Sequence, residues 1–172
     1  LGPEGAGVAM IAKRHLDRLR CLNVGWGSVK NSHNYAEPSL DLRDTAARFE
    51  AGSANMMGAA ALSASLQMIL DVRDQFGADA IADRIDDLAV SLDQQLTAAG
   101  AVTRLPKSPQ RRSGIVTFDV PDLEPAKIRK EGIRQKVVLS CRDGGVRAAV
   151  HAYNDEHDIQ RLVQLIRSMK AT

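Results

Sequence analysis

The chain has 172 residues, enough for one ordinary hydrophobic core or for a small domain plus part of another. Its 44% apolar and 26% charged residues are usual for a soluble globular protein. The net charge of +2 comes from 23 basic and 21 acidic residues that are interspersed, and aromatics make up 3%, so the clustered basic face with stacking rings of a nucleic-acid binder is absent. No apolar run approaches the ~20 residues needed to cross a bilayer, and the N-terminus lacks a secretory series. Cys21 and Cys141 are too few for a disulfide framework, and four scattered histidines give no zinc spacing. A reduced cytoplasm and no metal are the expectations.

In chain order, the apolar run at residues 8–11 predicts a short strand feeding a helical turn over 15–20. Glycine, serine, asparagine and proline then punctuate residues 21–48, a loop long enough to be functional or disordered. Asn55 suits an N-cap and Gly77 a C-terminal stop, framing a helix with Leu62, Leu66, Ile69 and Arg73 on one face. A second helix carries Ile81, Ile85, Leu88, Leu92 and Leu96 and stops at Gly100. The period then changes to a strand over 114–120, ended by Pro121. A short helix over 125–131 is closed by Gly132, and strands follow at 137–140 and 146–150, around Gly144-Gly145. The last helix is capped by Asn154 or Asp155 and shows Ile159, Leu162, Val163, Ile166 and Met169 on one side. This order predicts an α/β protein of the α+β kind, a sheet of about three strands with helices packed on one face.

Two places have the chemistry of a site. Gly52-Ser53 stands just before a long helix, where unpaired amides, the helix dipole and a hydroxyl suit a phosphate. The same residues also serve as an ordinary turn and cap. Arg142 and Arg147 flank a Gly-Gly turn between strands, and Arg147 has apolar or small neighbours. Such a guanidinium needs a partner, either a substrate carboxylate or an acid of its own fold, unless it simply alternates outward. His33 and Tyr35 lie in the long loop, and Gly25-Trp26-Gly27-Ser28 carries no chemistry of its own. His151 reads as a satisfied structural residue and Cys141 as a small buried thiol rather than a nucleophile.

In series, these stretches resemble one family. They are 1–5 (Leu-Gly-Pro-Glu-Gly), Val24-Gly25-Trp26, Arg48-Phe49-Glu50-x-Gly52-Ser53-x-Asn55, Arg112-Ser113-Gly114-Ile115-Val116, Ser140-x-Arg142-x-Gly144-Gly145-x-Arg147 and His151-x-Tyr153-Asn154. The order is similar to that of the class V aminotransferases, the fold-type-I pyridoxal-phosphate enzymes that include cysteine desulfurases, selenocysteine lyases and isopenicillin-epimerase-like proteins. The resemblance implies the C-terminal portion of such an enzyme, with residues 1–50 a remnant of the large cofactor domain and 51–172 the small domain. It implies that Gly52 and Ser53 hold the cofactor phosphate of a neighbouring subunit in a homodimer with shared active sites. It further implies that Arg147 binds the α-carboxylate of an amino-acid substrate, with Arg142 a second arginine nearby.

Two departures qualify it. The family's cofactor-bearing lysine lies a few residues before the Gly-Pro-Glu-Gly loop, and none of Lys13, Lys30, Lys107, Lys127, Lys130, Lys136 or Lys170 stands there. The 172 residues alone are therefore expected to be inactive, with no catalytic residue among them and apolar surface left exposed. Desulfurases also carry a catalytic cysteine on a loop after the first arginine, for which the four residues between Arg142 and Arg147 leave no room. A transaminase, lyase or epimerase is thus favoured over a desulfurase. The reading from another class is a non-catalytic truncated module for dimerisation or scaffolding.

Overall fold

The computed structural model describes residues 2–171; Leu1, which opens the first motif, lies outside them. The elements are α1 (Met56–Phe76), α2 (Ala80–Ala98), β1 (Val102–Thr103), β2 (Ile115–Asp119), α3 (Pro125–Arg134), β3 (Ser140–Arg142), β4 (Gly145–Ala149) and α4 (Glu156–Lys170). Short 3-10 helices lie at Lys13–Arg18, Trp26–Ser28, Ala46–Phe49 and Pro109–Arg111. The chain divides into two compact units, Leu1–Asp71 and Val72–Thr172, the division falling inside α1. Among the described residues no helix is long and apolar enough to cross a membrane.

The second unit follows from its periodicities. Alternation along β2 buries Val116 and Phe118 and leaves Ile115, Thr117 and Asp119 on the other face. The steps of four in α2 bury Leu88, Leu92 and Leu96, and α4 buries Ile159, Leu162, Val163, Leu165 and Ile166. With Ile128 of α3 and Val146 and Ala148 of β4 they form one core under an antiparallel sheet of order β1-β2-β4-β3. Each buried leucine, isoleucine or phenylalanine contributes about 1.5–3 kcal/mol. Asp155 caps α4 in a reciprocal capping box with Asp158, and Gly77 and Gly100 take positive φ after α1 and α2. Gly114 permits close packing, since a Cβ there would stand 2.5 Å from the Val150 carbonyl oxygen. The neighbouring Arg112 pairs with Asp86 at 3.1 Å.

The first unit is held differently. Arg43 donates to the Gly27 carbonyl at 2.8 Å, and Arg48 donates to the carbonyls of Arg43 at 2.7 Å and Leu16 at 3.4 Å. Lys30 pairs with Asp41 and Asp44 at 3.2 Å each, and hydrogen bonds to Asp44 and then Asp41 raise its pKa. Residues 21–48 are therefore a cross-braced loop. Asn55 caps α1 as expected, its Oδ1 accepting from the Gly58 amide at 2.9 Å.

Several expectations need correction. Residues 8–11 form no strand, and Val8 and Met10 are exposed. The sheet has four strands, the additional β1 being only two residues long. Helix α3 runs through Gly132, which is buried where a Cβ would stand 2.7 Å from the Val137 carbonyl oxygen and 3.2 Å from Leu139. That glycine serves close packing rather than termination. The third strand begins only at Ser140, because Lys136 turns the chain with φ 60° and Val138 points into solvent. Helix α1 forms as read, yet Met56, Met57, Leu66, Met68, Leu70 and Phe76 remain exposed.

Candidate functional site

One candidate site is the turn before α1. Its backbone is gripped by the glycine-punctuated stretch that sequence reading left without a role. The Gly27 amide donates to the Ala51 carbonyl at 3.2 Å. A Cβ at Gly25 would stand 2.0 Å from that oxygen, and one at Gly27 would stand 2.5 Å from the Glu50 oxygen, so only glycine fits either place. Asn55 Nδ2 reaches back to the Gly5 carbonyl at 3.2 Å, tying the Gly-Pro-Glu-Gly loop to the same helix end. Within this frame Gly52 and Ser53 are exposed. Among the described residues, the Gly52, Ser53 and Ala54 amides and the Ser53 hydroxyl have no partner. Ser53 is not the helix cap, since Asn55 takes that role. Free amides and a hydroxyl at a helix N-terminus are the donor set a phosphate requires.

A separate candidate site lies on the sheet face turned away from the core. A two-residue turn, Asp143-Gly144 with φ of 50° and 76°, joins β3 and β4, the geometry that matches right-handed strand twist. Register places Ser140 opposite Arg147, Cys141 opposite Val146 and Arg142 opposite Gly145. Arg147 also faces Thr117 of β2. Arg142 and Arg147 therefore share one face, where they line a groove with Arg104, Ile115, Thr117 and Asp143. Arg147 is half-buried, Arg142 is exposed, and among the described residues neither guanidinium has a hydrogen-bond or ion-pair partner. Of the readings left open for Arg147, outward alternation holds and an ion pair with its own fold does not. An unpaired guanidinium fork on a walled face suits a carboxylate.

Two side chains depart from expectation. Cys141 is exposed rather than buried. Its register partner Val146 points to the core side, and its thiol donates to the Pro125 carbonyl at 3.3 Å, so it lies on the face opposite the arginines. His151 is not fully satisfied: its Nδ1 is buried without a partner among the described residues, and the ring stacks on Tyr153 at 4.8 Å. His33 and Tyr35 are exposed in the loop. Sequence reading missed Arg104, which sits outside every motif, and Asp119, to which it is paired. The alternation of β2 does carry a signal for Asp119, since it must share a face with Thr117.

Comparison with known proteins adds the following. The family model Aminotransferase class-V matches residues 1–162. The "Probable cysteine desulfurase" of Pyrococcus abyssi (strain GE5 / Orsay) is 25% identical over 189 aligned residues, covering 100% of this chain and 45% of that protein. One from Staphylococcus aureus (strain Mu50 / ATCC 700699) is 23% identical, over 99% of this chain and 43% of its own length. The apo cysteine desulfurase of Thermococcus onnurineus NA1 superposes with a TM-score of 0.80 at 21% identity, over 94% of this chain and 42% of that one. The cystine C–S lyase C-DES, solved with its product cysteine persulfide, gives 0.77 at 22% identity, over 91% and 40%. These structural likenesses carry the fold. The chain spans less than half the length of the curated relatives it matches.

Proposed function

This chain belongs to the class V aminotransferase family, and from that premise we propose that it is the C-terminal part of a pyridoxal-phosphate enzyme acting on an amino acid. The family uses pyridoxal phosphate, the cofactor linked in one solved form of C-DES. When bound, that cofactor supplies an electron sink for the carbanion at the substrate's Cα. Gly52, Ser53 and Ala54 fit its phosphate, because their amides and the Ser53 hydroxyl are unpaired and open. In this reading they hold the cofactor of a neighbouring subunit, in a homodimer. Arg147 grips the substrate's α-carboxylate and fixes the orientation of Cα, and Arg142 adds a second cation beside it. Residues 1–50 are a remnant of the large cofactor domain, residues 51–172 are the small domain, and the setting is cytoplasmic.

The observation that carries this reading is the unpaired Arg147 on a sheet face otherwise supplied with acids. Within the family we favour a transaminase, lyase or epimerase. The two-residue turn after Arg142 has no room for a cysteine-bearing loop, and Cys141 points away from the arginines. The names of the curated relatives favour a desulfurase instead.

The test uses the longer protein that contains these residues. Adding pyridoxal phosphate is expected to give the absorbance band of the bound cofactor, with Ser53→Ala weakening its retention. Arg147→Ala is expected to raise KM about tenfold to a hundredfold, the worth of a charge-assisted hydrogen bond. Absence of the band overturns the enzyme reading in favour of a non-catalytic module serving in dimerisation or scaffolding.

A further inference from the structure

Resting on the reading of Arg147 as a carboxylate site, we propose that Arg104 is a positioning residue, which holds the Asp119 carboxylate and so keeps Arg142 and Arg147 free for an acidic ligand. Asp119 is an acid on the same sheet face as both arginines. It lies on β2 two residues beyond Thr117, the residue opposite Arg147, and that diagonal spacing is within reach of long side chains. It also lies over Gly145, the register partner of Arg142. A Cβ built at Gly145 would stand 3.2 Å from Asp119 Oδ1, 3.3 Å from Arg104 Nη1 and 3.0 Å from Thr117 Cγ2. With no side chain at Gly145 to separate them, the carboxylate of Asp119 has a direct course across β4 to Arg142.

That course is not taken. Asp119 accepts from Arg104 instead, and among the described residues Arg142 and Arg147 stay unpaired. Asp143, the other acid at the groove, makes no ion pair either. Arg104 is fixed for this task by its backbone, whose amide donates to the Thr117 carbonyl at 2.8 Å alongside the β1–β2 ladder. Glycine at 145 is what lets the pair lie flat, since any side chain would press on all three neighbours.

The experiment titrates the 172-residue chain with acetate and follows the side-chain Nε–H resonances of Arg142 and Arg147. Arg104→Gln releases Asp119 and is expected to weaken acetate binding roughly threefold, the scale of a partly exposed charge pair. The double variant Arg104→Gln with Asp119→Asn restores wild-type affinity, and Arg104→Lys, which keeps the pair, leaves it unchanged. Unaltered binding in Arg104→Gln, or a double variant as weak as the single one, overturns the proposal while leaving the carboxylate reading intact. Acetate binding that survives Arg147→Ala overturns the carboxylate reading itself, and the role of Arg104 with it.

Discussion

The two units of this chain are stabilised by different physics. In Val72–Thr172, leucine, isoleucine, valine and phenylalanine side chains from α2, α3, α4, β2 and β4 form one continuous core. In Leu1–Asp71, Leu16 is the one apolar side chain buried among the described residues, and the polar Ser28 and Ser32 are buried as well. There the chain is organised by arginine side chains donating to backbone carbonyls and by glycines where nothing larger fits. Area burial tolerates repacking, because any apolar group of similar volume restores much of it. A braced loop does not, because each donor meets one acceptor at one angle. The first unit should therefore be the less stable and the less forgiving of single changes.

Four measurements break or sharpen that contrast. Phe118→Ala opens a cavity in the second core and is expected to cost about 3–5 kcal/mol of unfolding free energy by denaturant titration. Trp26 is the chain's single tryptophan and lies in the first unit, so its fluorescence gives a separate readout. If Phe118→Ala moves the tryptophan and far-ultraviolet transitions equally, the contrast fails. Arg48→Ala removes two bonds to carbonyls and is expected to lower the tryptophan-detected stability by about 1.5–3 kcal/mol. Asn55→Ala removes the cap of α1 and costs about 1 kcal/mol.

The smallest effect is acid-induced. Glu131 is held at about 2 by hydrogen bonds from Arg134 and then Gln135. Asp158 is lowered by its hydrogen bond from Asn154. Both folded-state values are depressed, so their stabilisation is complete above the ordinary carboxylate range and is lost as pH falls through that range, towards about 2 for Glu131. Circular dichroism of the second unit between those limits should show a shallow loss of helix. In Glu131→Gln the part due to that residue should vanish.

What the sequence disclosed tracks how far each element depends on its own residues. The leucine steps of α2 and the capping box of α4 are local, and both helices appear where the pattern places them. Strand β2 was legible from alternation, whereas β1 has only two residues and exists because β2 offers it a partner. The run at 8–11 has strand composition without a strand partner. Gly132 carries a stop signal that tertiary packing against Leu139 and Leu165 overrides. At the candidate sites, Gly52, Ser53, Arg142 and Arg147 stand out beside their glycine turns, and their roles are what the family resemblance implies. The grip of Gly25 and Gly27 on the 50–51 backbone and the Arg104–Asp119 pair do not stand out, since each joins residues distant in sequence.

The hairpin between β3 and β4 has a corollary for how such a chain can change length. Because strand neighbours point to opposite sides, parity along the ladder decides which residues stand beside Arg147 and which beside the core. A single residue inserted between Arg142 and the turn, without a compensating bulge, would carry that arginine to the helix side and bring the thiol of Cys141 round to the groove. The two-residue turn thus acts as a phase marker: charge and sulfur exchange sides on one codon's worth of chain.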